Sequence, residues 1–275
     1  MSEAEEQEAL LALLDWYEAM GVDAVLGDSP VDRFAEGRAG AAASPAGRPA
    51  PRPPAPPRVP TAFAEPPSAG LIPGNDGIAS ARMLAAEAQT LDALRAALAG
   101  FEGCRLKATA KSLVFADGNP NGRVMLIGEA PGREEDVAGL PFVGRSGRLL
   151  DRMLAGIGLD RTNVYIANVI PWRPPGNRTP SDLEVELCKP FIERQIALAA
   201  PEIIVFLGAQ SLKALTGAKD GIHKARGRWR SYEAEGRAIR AIATLHPAYL
   251  LREPLQKRLA WADLMKVKAA LEGRG

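Results

Sequence analysis

Three groups of polar residues each follow a short apolar run in this chain of 275 residues. The first group is Gly128-Glu129-Ala130-Pro131-Gly132, the second begins at Asn168, and the third begins at His246. The apolar runs predict strands. The carboxyl ends of parallel strands meet at one edge of a sheet, which is where α/β proteins bind ligands. We therefore expect the three groups to converge on one cleft.

The residue types in these groups suit a flat, hydrogen-bonding ligand such as a nucleobase. An Asn amide offers both an acceptor and donors, so Asn168 can read the N3–H and O4 edge of uracil and would mispair with cytosine. Phe142, farther along the loop that begins with the first group, has a ring that can stack on a base. His246 can donate to an oxygen that gains negative charge as a base leaves, and Glu129 can orient or activate a water.

Each of these residues also has a structural explanation when taken alone. An Asn at a strand end commonly forms a turn or a cap. A His before a proline is more often structural, and Phe142 is more often a core residue than a stacking surface. The other histidine, His223, lies in a basic loop and is expected to be exposed. The coincidence of three polar loops at successive strand ends favours the functional interpretation.

The elements that must position these residues alternate along the second half of the chain. Apolar runs predict four strands, and helical periodicity predicts the intervening helices. The long helix is marked by a capping pair, Ser181 with Glu184 three residues later. This order predicts an α/β fold, a three-layer α/β/α sandwich with a central, mostly parallel four-stranded sheet. The strands are predicted at 124–128, 164–170, 203–208 and 238–245, and the helices at 80–99, 147–157, 181–198, 209–215 and 254–271.

Composition divides the chain into three parts. Residues 1–40 are predicted to form an acidic, helical N-terminal segment, residues 41–75 a Pro/Ala-rich disordered linker, and residues 76–275 the domain that holds the three polar loops. Ten of the 23 prolines lie between Pro45 and Pro67, which is typical of an extended linker. Residues 101–275 hold 27 Lys and Arg against 19 Asp and Glu. This bias suits a nucleic-acid binder and equally suits a mixed-charge solvated surface.

The two cysteines give no disulfide framework and fit a reducing cytoplasm. No apolar run approaches the roughly 18 residues that a membrane span requires. The acidic start of the chain does not have the features of a secretory signal. We therefore expect a cytoplasmic protein with no membrane partner.

Five groups of residues carry a resemblance to a known family. They are residues 128–132, Glu135-Asp136 with Gly139, 141–145 (Pro-Phe-Val-Gly-Arg), 173–178 (Arg-Pro-Pro-Gly-Asn-Arg) and 246–252 (His-Pro-Ala-Tyr-Leu-Leu-Arg). From about residue 101 to residue 271 the chain resembles the family-4 uracil-DNA glycosylases. The resemblance implies a base excision repair enzyme that flips uracil out of DNA and hydrolyses its N-glycosidic bond, leaving an abasic site.

The resemblance also implies roles for individual residues. Glu129, Asn168 and His246 are implied as catalytic residues. Ala130 carries no functional group, so this loop lacks the water-activating Asp of the best-known branch, and Glu129 is the nearest ionisable candidate. The implied uracil pocket consists of Gly128, Glu129, Ala130, Pro131, Gly132, Phe142, Asn168 and His246. The implied DNA contacts are Arg145, Arg173, Asn177, Arg178, Leu250, Leu251 and Arg252, with 250–252 acting as wedge and phosphate contact.

The chain departs from the family at its cofactor site. Family-4 enzymes usually hold a [4Fe–4S] cluster on four cysteines. Here Cys104 and Cys188 match two of those positions, and Phe101 and Trp172 stand at the other two. Because the aromatic side chains cannot ligate iron in this role, we expect no iron–sulfur cluster and no metal, with the rings filling its volume. Whether the two remaining thiols bind a metal stays open.

The implied partner is uracil-containing DNA, single- or double-stranded, bound by a monomer associated with the nucleoid. The N-terminal segment is a candidate contact for a repair or replication partner. Two other function classes are weighed against this interpretation. One is a non-catalytic protein that binds uracil-containing or damaged DNA. The other is a mononucleotide-binding α/β protein, although the glycine-rich loop lacks the G-x-x-x-x-G-K-[ST] pattern.

Overall fold

The structure, a computed structural model, describes residues 74–274. The predicted N-terminal segment 1–40 lies outside the described residues, as does the predicted linker except for its last two positions, which begin the first helix. No helix in the described part of the chain is long and apolar enough to cross a membrane.

The centre of the fold is a six-stranded sheet with the strand order β1-β3-β2-β4-β6-β5. The four predicted strands are confirmed as β2, β3, β4 and β6, and they pair in parallel. The predicted sheet of four strands is too small, because an antiparallel strand lies at each edge. The six strands are Asp117–Gly118, Val124–Gly128, Val164–Asn168, Ile203–Leu207, Trp229–Ala234 and Arg237–Thr244.

The two edge strands escaped prediction for different physical reasons. β1 has only two residues, too few for any periodicity. β5 is amphipathic and joins β6 through a hairpin whose turn residues, Glu235 and Gly236, have φ angles of 47° and 82°. Positive φ at both turn positions is the geometry that joins twisted strands tightly. The Glu-Gly pair was therefore a turn signal that the sequence interpretation missed.

The helices cover both faces of the sheet, which gives the predicted three layers. The predicted helix 80–99 is instead two helices, because Thr90 interrupts it: its Oγ1 accepts from the backbone N–H of Ala93 at 3.1 Å and caps the second helix. The predicted closing helix begins at Lys257, after a 3₁₀ turn over Pro254–Gln256. In chain order the α-helices α1 to α10 are Gly74–Glu87, Leu91–Gly100, Leu106–Thr109, Arg133–Ala138, Arg145–Ala155, Asp182–Ala199, Ala209–Thr216, Ile222–Ala225, Pro247–Arg252 and Lys257–Leu271.

The core lies on both sides of the sheet because alternate residues of a strand point to opposite faces. Met125 and Ile127 of β2 pack in the cluster that includes α1, α2, α6 and α7. Val124 and Leu126 of the same strand pack with α5 and α10. Strands β2, β3 and β4 are buried at every position, which explains why their sequences are apolar except for Asn168 at the end of β3.

Candidate active site

A cavity of about 230 Å³ opens at the carboxyl edge of the parallel strands, where β2, β3 and β6 end. The three polar loops that follow these strands all contribute to its wall. Of the eight predicted uracil-pocket residues, seven line the cavity, and Gly128 lies directly against two of them. The lining residues are Glu129, Ala130, Pro131, Gly132, Glu135, Phe142, Ser146, Asn168, Pro174, Asn177, Arg178, Thr179, His246 and Ala248.

The loop after β2 is held in shape by one buried carboxylate, that of Glu135. Its Oε2 accepts from the backbone N–H of Gly132 at 3.0 Å. Its Oε1 accepts from the N–H groups of Val143 and Gly144 at 3.1 and 3.0 Å. A carboxylate with several N–H donors is strongly stabilised, so Glu135 joins the two ends of the loop. The sequence interpretation gave this residue no role, although its spacing from Gly132 is that of a capping box.

Phe142 lies on that loop and is 5% exposed, with its ring against the cavity. The ring approaches β2 so closely that a Cβ on Gly128 would lie 2.6 Å from Cζ of Phe142 and 2.3 Å from Oδ1 of Asn168. Gly128 is therefore needed for close approach rather than for backbone freedom. Phe142 itself has a φ of 55°, a left-handed conformation that costs a non-glycine residue about 1–2 kcal/mol.

Asn168 is the last residue of β3, directly opposite Gly128 in the register. The side chain is 5% exposed and lines the cavity. Its Oδ1 is buried and has no hydrogen-bond partner among residues 74–274. A buried polar atom without a partner costs about 1–3 kcal/mol. An unpaired polar atom on a residue that lines a cavity is the arrangement of a site that pairs with a ligand.

His246 caps the helix α9 that begins at Pro247. Its Nδ1 accepts from the backbone N–H of Ala248 at 3.1 Å, so the neutral ring carries its proton on Nε2. Burial, reinforced by the charge of Arg252, lowers the pKa of His246 to about 4. The ring centroid lies 5.6 Å from that of Phe142. At neutral pH the site therefore holds an uncharged imidazole that donates from Nε2.

Glu129 follows β2 directly and lines the cavity. Burial raises the pKa of its carboxyl above the usual glutamate value. Glu129 also lines a second cleft, together with Val169 and Ile170. This carboxylate is the one ionisable group of the first polar loop 128–132, and its raised pKa suits a group that accepts a proton.

The predicted DNA-contacting residues of the loop after β3 lie at the cavity mouth. Asn177 and Arg178 line it, and Nε of Arg173 donates to Oδ1 of Asn177 at 2.7 Å. Arg178 forms two hydrogen bonds with Glu184, at 2.7 and 2.8 Å. This contact lowers the pKa of Glu184 to about 2. Glu184 also closes the predicted capping box with Ser181, so Arg178 is tied to the start of α6.

The structure corrects one predicted DNA contact. Leu250 is 0% exposed and packs with Leu245 and Ala260, so its side chain is not available to DNA. The neighbouring Leu251 is 36% exposed, and Arg252 is exposed as well. Helical geometry explains the difference, because consecutive residues of α9 point in directions about 100° apart. Arg145, the first residue of α5, is exposed but does not line the cavity.

The four residues at the family's cluster positions lie in one hydrophobic core. Phe101 and Trp172 are each 2% exposed, and the ring of Phe101 lies 5.2 Å from that of Phe191. The sulfur atoms of Cys104 and Cys188 are 3.9 Å apart. This donor set has two thiolates where a [4Fe–4S] cluster takes about four ligands. The residues present therefore do not fit the cluster.

Comparison of the sequence with known proteins shows the family to which this chain belongs. Residues 115–265 match the sequence profile of the Uracil DNA glycosylase superfamily. The chain is 39% identical over 176 residues to the type-4 uracil-DNA glycosylase of Saccharolobus solfataricus, covering 62% of this chain and 82% of the relative. It is 37% identical over 183 residues to that of Archaeoglobus fulgidus, covering 65% and 92%. For the Thermotoga maritima protein the values are 39% over 175 residues, 62% and 90%. The chain therefore belongs to the uracil-DNA glycosylase superfamily, in its type-4 branch.

Proposed function

We propose that this protein excises uracil from DNA and that the cavity bounded by Phe142, Asn168 and His246 holds the flipped base. The reaction is hydrolysis: water forms a bond to C1′ of the deoxyribose while the bond from C1′ to N1 of uracil breaks. Free uracil and an abasic site are the products. The target base leaves the helix first, at a cost of about a few kcal/mol.

The residues of the cavity divide the chemistry among them. Phe142 stacks on the base, and Asn168 accepts from N3–H and donates to O4. As the glycosidic bond breaks, uracil carries the bonding electrons away as an anion. Nε2–H of His246 donates to the oxygen on which this charge develops. Glu129 orients the attacking water and accepts a proton from it.

The observation that carries this proposal is the unpartnered Oδ1 of Asn168. The atom is buried at the end of β3 and has no partner within the described part of the chain. Uracil supplies the missing donor through N3–H, whereas cytosine has an acceptor at N3. When a buried polar group can pair with only one of two ligands, the site strongly rejects the ligand that leaves this group unpaired.

The alternative of a non-catalytic DNA-binding protein is not favoured. Glu129, Asn168 and His246 line one cavity, and the relatives quoted above are named as glycosylases. A protein that only bound uracil would not need an ionisable carboxyl and a neutral imidazole beside the base. Mononucleotide binding is not favoured either, because the glycine-rich loop lacks the phosphate-binding motif.

We further propose that the enzyme works without an iron–sulfur cluster. Phe101 and Trp172 occupy two ligand positions and are buried with Cys104 and Cys188 in one hydrophobic cluster. Two fully buried aromatic side chains each contribute on the order of 2–3 kcal/mol of apolar burial. This packing is our explanation of how the fold is stabilised where the family uses a metal cluster.

The remaining proposals concern the whole chain. We propose that it acts on single- and double-stranded DNA as a monomer, in the cytoplasm and at the nucleoid. The excess of Lys and Arg over residues 101–275 supports contact with phosphates. The acidic, proline-rich residues 1–75 are the segment that we assign to a repair or replication partner. Light scattering after size-exclusion chromatography, with and without residues 1–73, tests the monomer.

The test of the activity is cleavage at a single uracil. The full chain is incubated with single- and double-stranded oligonucleotides that carry one uracil, or thymine as the control, and abasic sites are then cleaved with alkali. We expect a strand break at uracil and none at thymine. A wild-type protein that gives no break in either strand form would contradict the proposed function. Protein carrying His246→Ala, purified in parallel, measures any contaminating glycosylase.

A further inference from the structure

One arginine outside the cavity has contacts that the proposed reaction does not explain. Arg161 lies between α5 and β3, and its side chain is 25% exposed. Its guanidinium donates to the carbonyl oxygen of Pro141 at 3.1 Å and also to that of Phe142. Arg161 itself does not line the cavity. Arg161 therefore supports the backbone of Phe142 from outside the cavity.

The guanidinium is itself fixed by two carboxylates. Nε donates to Oδ1 of Asp151 in α5 at 2.9 Å, and Nη1 donates to Oδ2 of Asp117 in the edge strand β1. The planar fork of an arginine can make four such contacts at once, which a lysine cannot. One side chain thus joins the edge strand, a helix and the loop that carries Phe142.

The backbone of Phe142 needs this support. Its φ of 55° is left-handed, and conformations of this kind persist only where the surrounding structure fixes them. On its other side the Phe142 carbonyl lies against Gly147, where a Cβ would come within 1.6 Å of the carbonyl oxygen. The strained peptide is therefore held between Arg161 and the first turn of α5.

We propose that Arg161 is a positioning residue for uracil excision, acting by fixing the Phe142 peptide so that the ring lies parallel to the flipped base. This inference rests on the proposed function. Phe142 is the side chain that touches the base, and Arg161 acts through it. Misplacement of a positioning group by about 1 Å can lower a rate about a hundredfold.

The test is a double-mutant cycle in the single-turnover rate on uracil-containing DNA at saturating enzyme. Arg161→Gln should lower the rate about tenfold to a hundredfold in the wild-type background. In a Phe142→Ala background it should cost less than about twofold, because the ring that it positions is gone. The affinity for uracil-free DNA should not change. A merely structural role would lower the rate equally in both backgrounds.

Arg123→Gln is the matched control. Like Arg161, Arg123 donates to both carboxylate and backbone carbonyl oxygens: two of its nitrogens bind the carboxylate of Glu202 at 2.8 Å, and a third binds the carbonyl of Leu271 at 3.1 Å. It lies at the opposite end of β2 from the cavity, so its removal should leave the rate unchanged. If Arg161→Gln is insoluble, Arg161→Lys enters the same cycle with the same criterion.

The outcomes separate this inference from the proposed function. The positioning role alone would be overturned if the wild type is active, Phe142→Ala is impaired, and the Arg161 variant has the same excision rate as Arg123→Gln. Equal losses from the Arg161 substitution in both backgrounds would also overturn it. A wild type that is inactive on uracil would remove the proposed function, and the inference with it.

Discussion

The half-buried, neutral His246 makes the stability of the fold depend on pH in a way that one substitution should remove. His246→Asn replaces the titrating ring with a side chain that has no proton to gain. Asn is also among the best N-cap residues, so its Oδ1 can accept from the Ala248 N–H in place of Nδ1, which lies 3.1 Å from that nitrogen. The change therefore isolates the titration from the loss of the cap.

The magnitude follows from the pKa. In the unfolded chain a His has a pKa of about 6.5, and in the folded protein burial lowers the pKa of His246 to about 4. The unfolded state therefore binds the proton more tightly. The stability that this difference contributes is fully present above about pH 6.5 and is lost as the pH falls toward about 4. Between about pH 7.5 and about pH 5 the loss is about 2 kcal/mol.

The assay is urea unfolding of both proteins at the two pH values. Other groups also titrate over this range, but they are common to both proteins and cancel in the comparison. We expect the free energy of unfolding of the wild type to fall by about 2 kcal/mol more than that of His246→Asn. Parallel changes in the two proteins would show that burial does not hold His246 neutral, and the assignment of an uncharged imidazole to the site would lose its basis.

Three further predictions concern the site and its surroundings. Because burial raises the pKa of Glu129 and only the ionised carboxylate accepts a proton, the excision rate should fall as the pH is lowered, and this acidic limb of the pH–rate profile should lie above the usual glutamate range. Glu129→Gln should remove this limb and lower the rate about 10²- to 10⁴-fold; a limb that survives in the variant would contradict the role. Leu251→Ala should lower the excision rate on duplex DNA but not on single-stranded DNA, and it should change the stability of the protein little. Leu250→Ala should instead lower the free energy of unfolding by about 2–5 kcal/mol. The opposite pattern would restore Leu250 as the wedge. Protein purified anaerobically should contain neither iron nor acid-labile sulfide, and stoichiometric amounts of both would refute the cluster-free proposal.

The sequence predicted the parts of the fold that depend on local patterns. Strands β2 and β4 are apolar throughout because both faces are buried, and Ser181 with Glu184 marks the start of α6. The edge strands were missed because short or amphipathic segments gain their structure from a neighbour. The break at Thr90 was also missed, since a cap within a continuous helical pattern becomes evident only when its hydrogen bond is seen.

The sequence predicted which loop residues line the cavity but not the contacts that support them. Motif residues such as Asn168 and His246 follow strands, so their meeting at one edge follows from parallel topology. Arg161 acts on the loop through backbone carbonyls, and such contacts leave no periodic or compositional signal, whereas Glu135 left only the spacing of a capping box. The burial of Leu250 depends on how α9 packs on α10, which the order of residues alone does not determine.

The most direct test of the central claim is the rate of uracil excision by Asn168→Asp. The carboxylate cannot donate to O4 of uracil and repels it, so the single-turnover rate should fall at least about a hundredfold. Asn121 is exposed and lies before the start of β2, whereas the cavity lies at the end of that strand. Asn121→Asp makes the same chemical change and should keep the wild-type rate. A near-wild-type rate in Asn168→Asp would show that uracil is not read at the end of β3 and would contradict the account.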